Sequence, residues 1–303
     1  MKRLIGREKE IESLEAYVDS GQAEFIAIYG RRRVGKTFLI NQLFRNRLAF
    51  SLTGIIDGTP SEQMESYVQA LEFNGYKINE HPKNWLTAFA ELRKFLQPKI
   101  NSGEPCIVFI DEISCFDSQR SGFVRALGFF WNSWASLQDN LKLIICGSVT
   151  SWMITNIIDS KGGLHNRVTH EIALHQFTLH ETELYLLNRG FNWSRLTILQ
   201  AYMCLGGVPY YLSLLSASES LAENLDRLFF DRDAELQKEY SRLYKTLFKS
   251  PEPYMKIVKL LAESKQGLTR QEISTKLKIS GKALTDQLGN LQSCDIIRLY
   301  YVK

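Results

Sequence analysis

The chain has 303 residues, 45% of them hydrophobic and 23% charged, with a formal net charge of +4. That length accommodates two domains or three small ones, each with a core of its own, and the mild positive balance permits nucleic-acid contact without arguing for it. Apolar runs such as 106–110 and 143–146 are strand-sized and far short of the roughly 20 residues that span a bilayer.

Residues 1–8 turn charged where a signal peptide needs its apolar stretch, so a cytoplasmic protein with no membrane partner is expected. The five cysteines, at 106, 115, 146, 204 and 294, lack Cys-x-x-Cys spacing, which points away from disulfides and from zinc.

In chain order, 8–18 reads as a helix with Ile11, Leu14 and Val18 on one face, and 24–29 as a buried strand. Gly30-Arg31-Arg32-Arg33-Val34-Gly35-Lys36-Thr37 follows, a full G-x-x-x-x-G-K-[ST] loop, and a helix is expected over 37–44, beginning Thr37-Phe38. Strand, loop and helix in that order are what nucleotide binding needs. The glycines let backbone amides point into one cup for phosphate oxygens, Lys36 reaches the β- and γ-phosphates, and the Thr37 hydroxyl is placed to hold Mg²⁺. The helix N-terminus adds its partial positive charge.

A strand is expected over 48–52 and helices over 61–73 and 85–101, the latter with Trp85, Ala88, Phe89, Leu92, Phe95 and Leu96 in one core-facing stripe. Next, 105–112 runs through four apolar residues into Asp111-Glu112, a central parallel strand ending in two acids. Asp111 is the candidate Mg²⁺ ligand and Glu112 the candidate base that polarises an attacking water. Helix 122–136 carries Phe123, Leu127, Phe130, Trp131 and Trp134, aromatic surface for a core or an interface. Strand 141–146 runs into Gly147-Ser148, where Ser148 either contacts the γ-phosphate or water, or merely ends a turn. With a strand at 169–174, the β/α alternation gives at least five strands in a parallel sheet. His165 and His170 lack metal-ligand spacing and read as surface residues.

Beyond the sheet, helix 193–204 precedes Gly206-Gly207-Val208-Pro209, and Pro209 opens a helix over 209–216 at a first-turn position. A charged helical stretch covers 221–249, and Ser250-Pro251-Glu252-Pro253 reads as a linker. Helices follow at 254–263, at 269–277 with Thr269 and Glu272 as a capping pair, and at 281–291, then a strand over 296–301: a winged helix-turn-helix. Lys282, Thr285, Asp286, Gln287 and Asn290 face outward on the third helix, and Arg270, Lys276, Lys278 and Arg298 are candidate backbone contacts for double-stranded DNA.

These residues resemble the archaeal-type P-loop ATPases of the STAND branch of AAA+-like proteins. The likeness rests on Ile5-Gly6-Arg7-Glu8, on the loop at 30–37, on Ile107 to Ile113, on Leu143 to Ser148, on Leu164-His165-Asn166-Arg167 and on 204–212, and it covers essentially the whole chain. It implies ATP and Mg²⁺ as cofactors, Ile5, Gly6 and Arg7 near the adenine, Pro209 in a helical lid close to the nucleotide, and Arg167 at the γ-phosphate in cis or from a neighbouring subunit. On the residues alone Arg167 reads equally as a structural ion pair. No arginine opens the lid helix, which weakens the comparison with replication initiators.

The expected architecture is an α/β P-loop NTPase of ASCE/AAA+-like type over 1–175, a helical lid over 176–250 and a winged helix over 251–303 that stops within its wing. Relatives of this kind continue into a nuclease-like domain, whose activity is not carried over. The function expected is a slow, ATP-driven conformational switch with ATP and ADP as ligands, open to DNA contact and to nucleotide-dependent homo-oligomers. The alternative is an ATP-dependent DNA-binding regulator with negligible hydrolysis. A small-molecule kinase is the third reading, disfavoured by the Asp-Glu strand end.

Overall fold

The computed structural model describes residues 4–118, 120–248 and 250–300. They form two compact units, the first comprising residues up to Gly30 and Gly35–Leu174, the second Arg31–Val34 and His175 onward.

Unit 1 opens with α1 (Glu8–Val18), which buries Leu14 and Val18. It then alternates β1 (Glu24–Tyr29), α2 (Lys36–Phe44), β2 (Leu48–Thr53), α3 (Pro60–Phe73), α4 (Trp85–Ile100), β3 (Cys106–Asp111), α5 (Phe123–Ser133), β4 (Leu141–Gly147), a short α6 (Thr150–Met153) that widens into a π turn, and β5 (His170–Ala173). The sheet has five strands in the order β2-β3-β4-β1-β5, and every pairing is parallel. β3 and β4 are buried along their whole length, as near-continuous apolar strands covered on both faces by helices should be.

The aromatic stripes of α4 and α5 close on each other inside this core. Trp85 meets Phe123 edge to face at 4.9 Å between centroids, and Phe89 stacks on Phe130 at 5.2 Å. The aromatic surface of α5 is therefore mostly core, with Phe129 left 65% exposed. α5 ends at Ser133 and a 3₁₀ turn over Ala135–Leu137 follows, so the helix is shorter than its apolar spacing suggested. His170 is no plain surface residue either: it stacks on Tyr17 at 3.5 Å and its Nε2 lies 3.2 Å from the buried carboxylate of Glu24.

Unit 2 holds two cores. The first gathers α7 (Leu179–Asn188), α8 (Arg195–Leu205) and α9 (Pro209–Ser213) around Leu186, Ile198 and Leu212. Its pivot is Gly207, whose carbonyl accepts from the Phe177 amide at 2.7 Å. A Cβ there would lie 1.9 Å from the Phe177 carbonyl oxygen. Gly207→Ala must therefore push two backbone segments apart, and we expect a loss of about 3 kcal/mol in thermal unfolding. A melting temperature within about 2 °C of wild type overturns this account.

The helix expected over 221–249 is broken. α10 (Leu221–Leu225) runs on as a π turn to Phe230, and α11 (Glu239–Leu247) starts afresh. Between them Asp231-Arg232-Asp233 offers no apolar stripe, and aspartates compete for backbone hydrogen bonds, so the chain turns and Leu236 N–H bonds back to the Leu228 carbonyl at 3.0 Å. Residue 249 lies outside the described residues.

The second core joins α11 to α12 (Glu252–Ala262), α13 (Arg270–Leu277) and α14 (Gly281–Ser293). Pro253 sits in the first turn of α12, where its missing N–H is harmless, so the Pro-Glu-Pro run opens a helix instead of linking two domains. Thr269 and Glu272 cap α13 reciprocally, as their spacing indicated. The strand expected over 296–301 does not form among the described residues, and Tyr301 lies outside them. Ile296 and Ile297 instead fold back, their amides bonding to the Leu291 carbonyl and their side chains packing on the core shared by α11 to α14.

Candidate functional site

Gly30 and Gly35 frame the loop for different reasons. Gly30, at φ 146°, faces the Leu174 carbonyl so closely that a Cβ would stand 2.2 Å from it. Gly35, at φ 95°, has open space around it but a backbone that other residues rarely adopt, and it starts α2 without a side-chain cap. The first turn of α2 thus offers amide N–H groups to an anion.

The sheet order explains how the other groups meet. β4 lies between β1, which carries the loop, and β3, which carries the acids. Ser148 stands just past the tip of β4 and joins the two sides: Lys36 Nζ donates to its Oγ at 3.1 Å, and that Oγ donates to Glu112 Oε1 at 2.6 Å. Lys36, only 5% exposed, also donates to the Gly30 carbonyl at 2.8 Å. Beside this chain Thr37 Oγ1 donates to Asp111 Oδ2 at 2.6 Å, and the Glu112 amide donates to Asp111 Oδ1 at 2.9 Å. Lys36, Thr37, Asp111, Glu112 and Ser148, from three separate stretches of sequence, form one hydrogen-bonded group.

Burial dominates the electrostatics of its acidic end. Asp111 is 2% exposed, and burial pushes its carboxyl up from the ordinary value, with the neighbouring Glu112 carboxylate adding to the effect. The hydrogen bonds from Thr37 and the Glu112 amide and the charge of Lys36 pull the other way without cancelling it. Glu112 itself sits at φ 46°, a left-handed backbone in a residue with a side chain, the kind of strain that gathers at functional sites. Among the described residues no group of three or more His, Cys, Asp or Glu side chains is arranged to hold a metal unaided. A cation here would take oxygen ligands from Thr37, Asp111 and its own ligand or water.

The remaining expected residues belong to other elements. Gly6 and Arg7 both take left-handed backbones at the start of α1, and buried Arg7 lies 3.7 Å from Glu10. Ile5 precedes them, half-buried, and Phe38 is largely exposed on α2. Arg167 is exposed and makes no ion pair among the described residues, so the structural ion pair considered for it is not there. Pro209 opens α9 in unit 2. Of the candidate DNA-facing residues, three are engaged internally: Arg270 donates to Thr285 Oγ1 at 2.6 Å, and Asn290 donates to the Tyr254 hydroxyl at 3.0 Å.

The loop's arginines hold a finding that local patterns could not give. Arg31–Val34 groups with unit 2, and there Arg33 pairs with Glu239 at 3.1 Å while Arg32 donates to Thr246 Oγ1 at 2.9 Å across 214 positions of sequence. Glu239 and Thr246 belong to no motif, and Tyr210 and Tyr211, though inside the 204–212 stretch, carry no sign there of a tie to the loop.

Residues 4–215 match a family of ATPase domains found predominantly in Archaea. Over 297 residues the chain is 27% identical to an uncharacterized protein of Methanocaldococcus jannaschii, covering 97% of this chain and 61% of that relative's length. A stretch of 43 residues is 44% identical to an uncharacterized ATP-binding protein of the same organism, 14% of this chain and 73% of that one. Among solved structures, the Walker-type ATPase PABY2304 of Pyrococcus abyssi matches 96% of this chain and 90% of its own, with a TM-score of 0.67 at 19% identity. The Aeropyrum pernix ORC2 protein, in its ADPNP–ADP complexes, matches 97% and 87%, with a TM-score of 0.51 at 16% identity.

A parallel sheet with a phosphate loop after β1 and paired acids at the end of β3 defines a P-loop NTPase fold. Within that class the chain belongs to the archaeal-type ATPase domain family. No helix among the described residues is long and apolar enough to cross a membrane.

Proposed function

We propose that the protein binds ATP with Mg²⁺ in unit 1, hydrolyses it slowly, and uses the cycle as a conformational switch of the STAND type. The observation that carries this reading is the continuous chain Lys36–Ser148–Glu112 beside the Thr37–Asp111 pair. Lys36 and the loop amides hold the β- and γ-phosphates, Ser148 senses the γ-phosphate, and Glu112 takes the proton of the attacking water. The buried, charge-starved Asp111 and the hydroxyl of Thr37 are a hard-oxygen pair that fits Mg²⁺, which when bound neutralises phosphate charge. Exposed Arg167 is available to a γ-phosphate, including that of a second copy.

Calorimetry tests the first step: ATP should bind with measurable heat, and no heat of association ends the proposal. Chelation tests the second. EDTA should cut ATP turnover at least about 100-fold, because without the ion two carboxylates face a polyphosphate. Turnover that persists in EDTA rules out the role assigned to Thr37 and Asp111.

A DNA-binding regulator with negligible hydrolysis is a second reading, favoured by the left-handed turn at Lys278, φ 55°, which sets α13 and α14 in helix-turn-helix sequence. The internal engagement of Arg270, Thr285 and Asn290 counts against it. Anisotropy of labelled duplex DNA, with and without ATP, separates the two: ATP-dependent affinity with negligible turnover selects the regulator.

A further inference from the structure

We infer that Glu239, with Tyr210 and Tyr211, is a positioning residue for the phosphate loop: it grips the side chain of Arg33 and so holds the loop in the shape that receives nucleotide. The inference rests on the reading of residues 30–37 as a nucleotide site and adds to it a control that lies outside the motif.

Among the loop's three consecutive arginines, Arg33 alone takes a left-handed backbone, at φ 72°. That conformation is costly for a residue with a Cβ, and glycine is the usual solution. Arg33 is kept there from the far end of its side chain. Its Nη1 lies 3.1 Å from Glu239 Oε2, in a pair whose side chains are only 25% and 10% exposed. Its guanidinium carbon stands 4.0 Å from the centre of the Tyr210 ring, within cation–π range.

The socket is itself built to stay put. The second Glu239 oxygen accepts from the Tyr211 hydroxyl at 2.8 Å, so both carboxylate oxygens are spoken for. Burial pushes the Tyr211 phenol up to about 12, which keeps it a donor at all physiological pH values. Tyr210 donates its own hydroxyl to Glu235. Glu239 opens α11, where the helix N-terminus favours a negative charge. Arg32 adds a second tether to the same helix through Thr246.

With the arginine side chains drawn onto α9 and α11, the loop's backbone shape is set by residues some two hundred positions away. Binding is reciprocal: whatever nucleotide gains from a loop held this way, the Arg33–Glu239 contact gains from nucleotide.

The test titrates a fluorescent ADP analogue into the full chain carrying E239Q, Y210L, R33A, R33G and R33G with E239Q, each checked for a native melting transition. E239Q and R33A should weaken ADP about tenfold, the scale of the left-handed penalty once the grip is lost. R33G needs no grip, so it should stay within about threefold of wild type, and adding E239Q to it should change nothing further. Y210L should weaken ADP about threefold through loss of the cation–π contact.

Limited trypsin digestion without nucleotide gives a readout independent of the site's activity. E239Q should be cut after Arg31–Arg33 several times faster than wild type. The inference is overturned if E239Q binds ADP like a wild type that itself binds, if E239Q weakens the R33G protein as much as the parent, or if trypsin cuts both loops alike. A wild type that binds no ADP instead refutes the nucleotide-site reading on which the socket depends.

Discussion

Lys36→Ala protein should show no calorimetric binding of ATP or ADP at concentrations that saturate wild type, a loss of at least about 100-fold. Lys36 is buried beside two carboxylates, and its ammonium is the one positive side chain in the group formed with Ser148, Asp111 and Glu112. Removing it leaves the acids to repel a polyphosphate at close range in a medium that screens poorly. It also takes from Ser148 the donor that orients its hydroxyl toward Glu112. Arg32 and Arg33 cannot substitute, because they are bound to Thr246 and Glu239. A dissociation constant within threefold of wild type would show that the loop does not hold phosphate through this lysine.

Glu112→Gln should have the opposite signature, with binding kept within about threefold and turnover falling by a factor of about 10² to 10⁴, the usual worth of a general base. Glutamine preserves the length of the side chain and an oxygen to accept from Ser148 Oγ, so the geometry at 2.6 Å survives. What disappears is the capacity to take a proton from water. Single-turnover release of labelled phosphate from ATP measures the step directly. An unchanged rate in the variant removes Glu112 from the chemistry and shifts attention to Asp111. The two variants together divide the site into a part that holds and a part that reacts.

Most of unit 1 could be read from the chain because its signals are local. A strand of buried residues, a glycine-framed loop and a helix with no side-chain cap occupy 24–44 without interruption, and β3 announces itself by ending in Asp111-Glu112. The sheet order was not legible, and with it went the position of Ser148. Nothing in the sequence says that β4 lies between β1 and β3, so the serine looked as much like a turn as like a contact. Unit 2 shows where periodicity misleads. Charged residues over 221–249 keep a helical appearance, yet Asp231 and Asp233 end the helix, and Ile296-Ile297 looks like a strand but packs on the four-helix core of α11 to α14. The socket for Arg33 was invisible for a different reason: Glu239 is an ordinary residue in the sequence, and nothing in the 204–212 stretch ties Tyr210 and Tyr211 to the loop.

The complete burial of β3 and β4 has a consequence for how such a site can change. Strands packed on both sides behave as fixed rails, and the groups mounted at their ends, Asp111, Glu112 and Ser148, inherit that stiffness. Adjustment has to come from what is not part of the rails. Here that part is a four-residue span, Arg31–Val34, where Arg32 and Arg33 answer to helix residues while Gly30, just before it, is pressed against the Leu174 carbonyl. Whatever alters the loop's grip on phosphate therefore acts on this short strap of backbone and leaves the rails where they are.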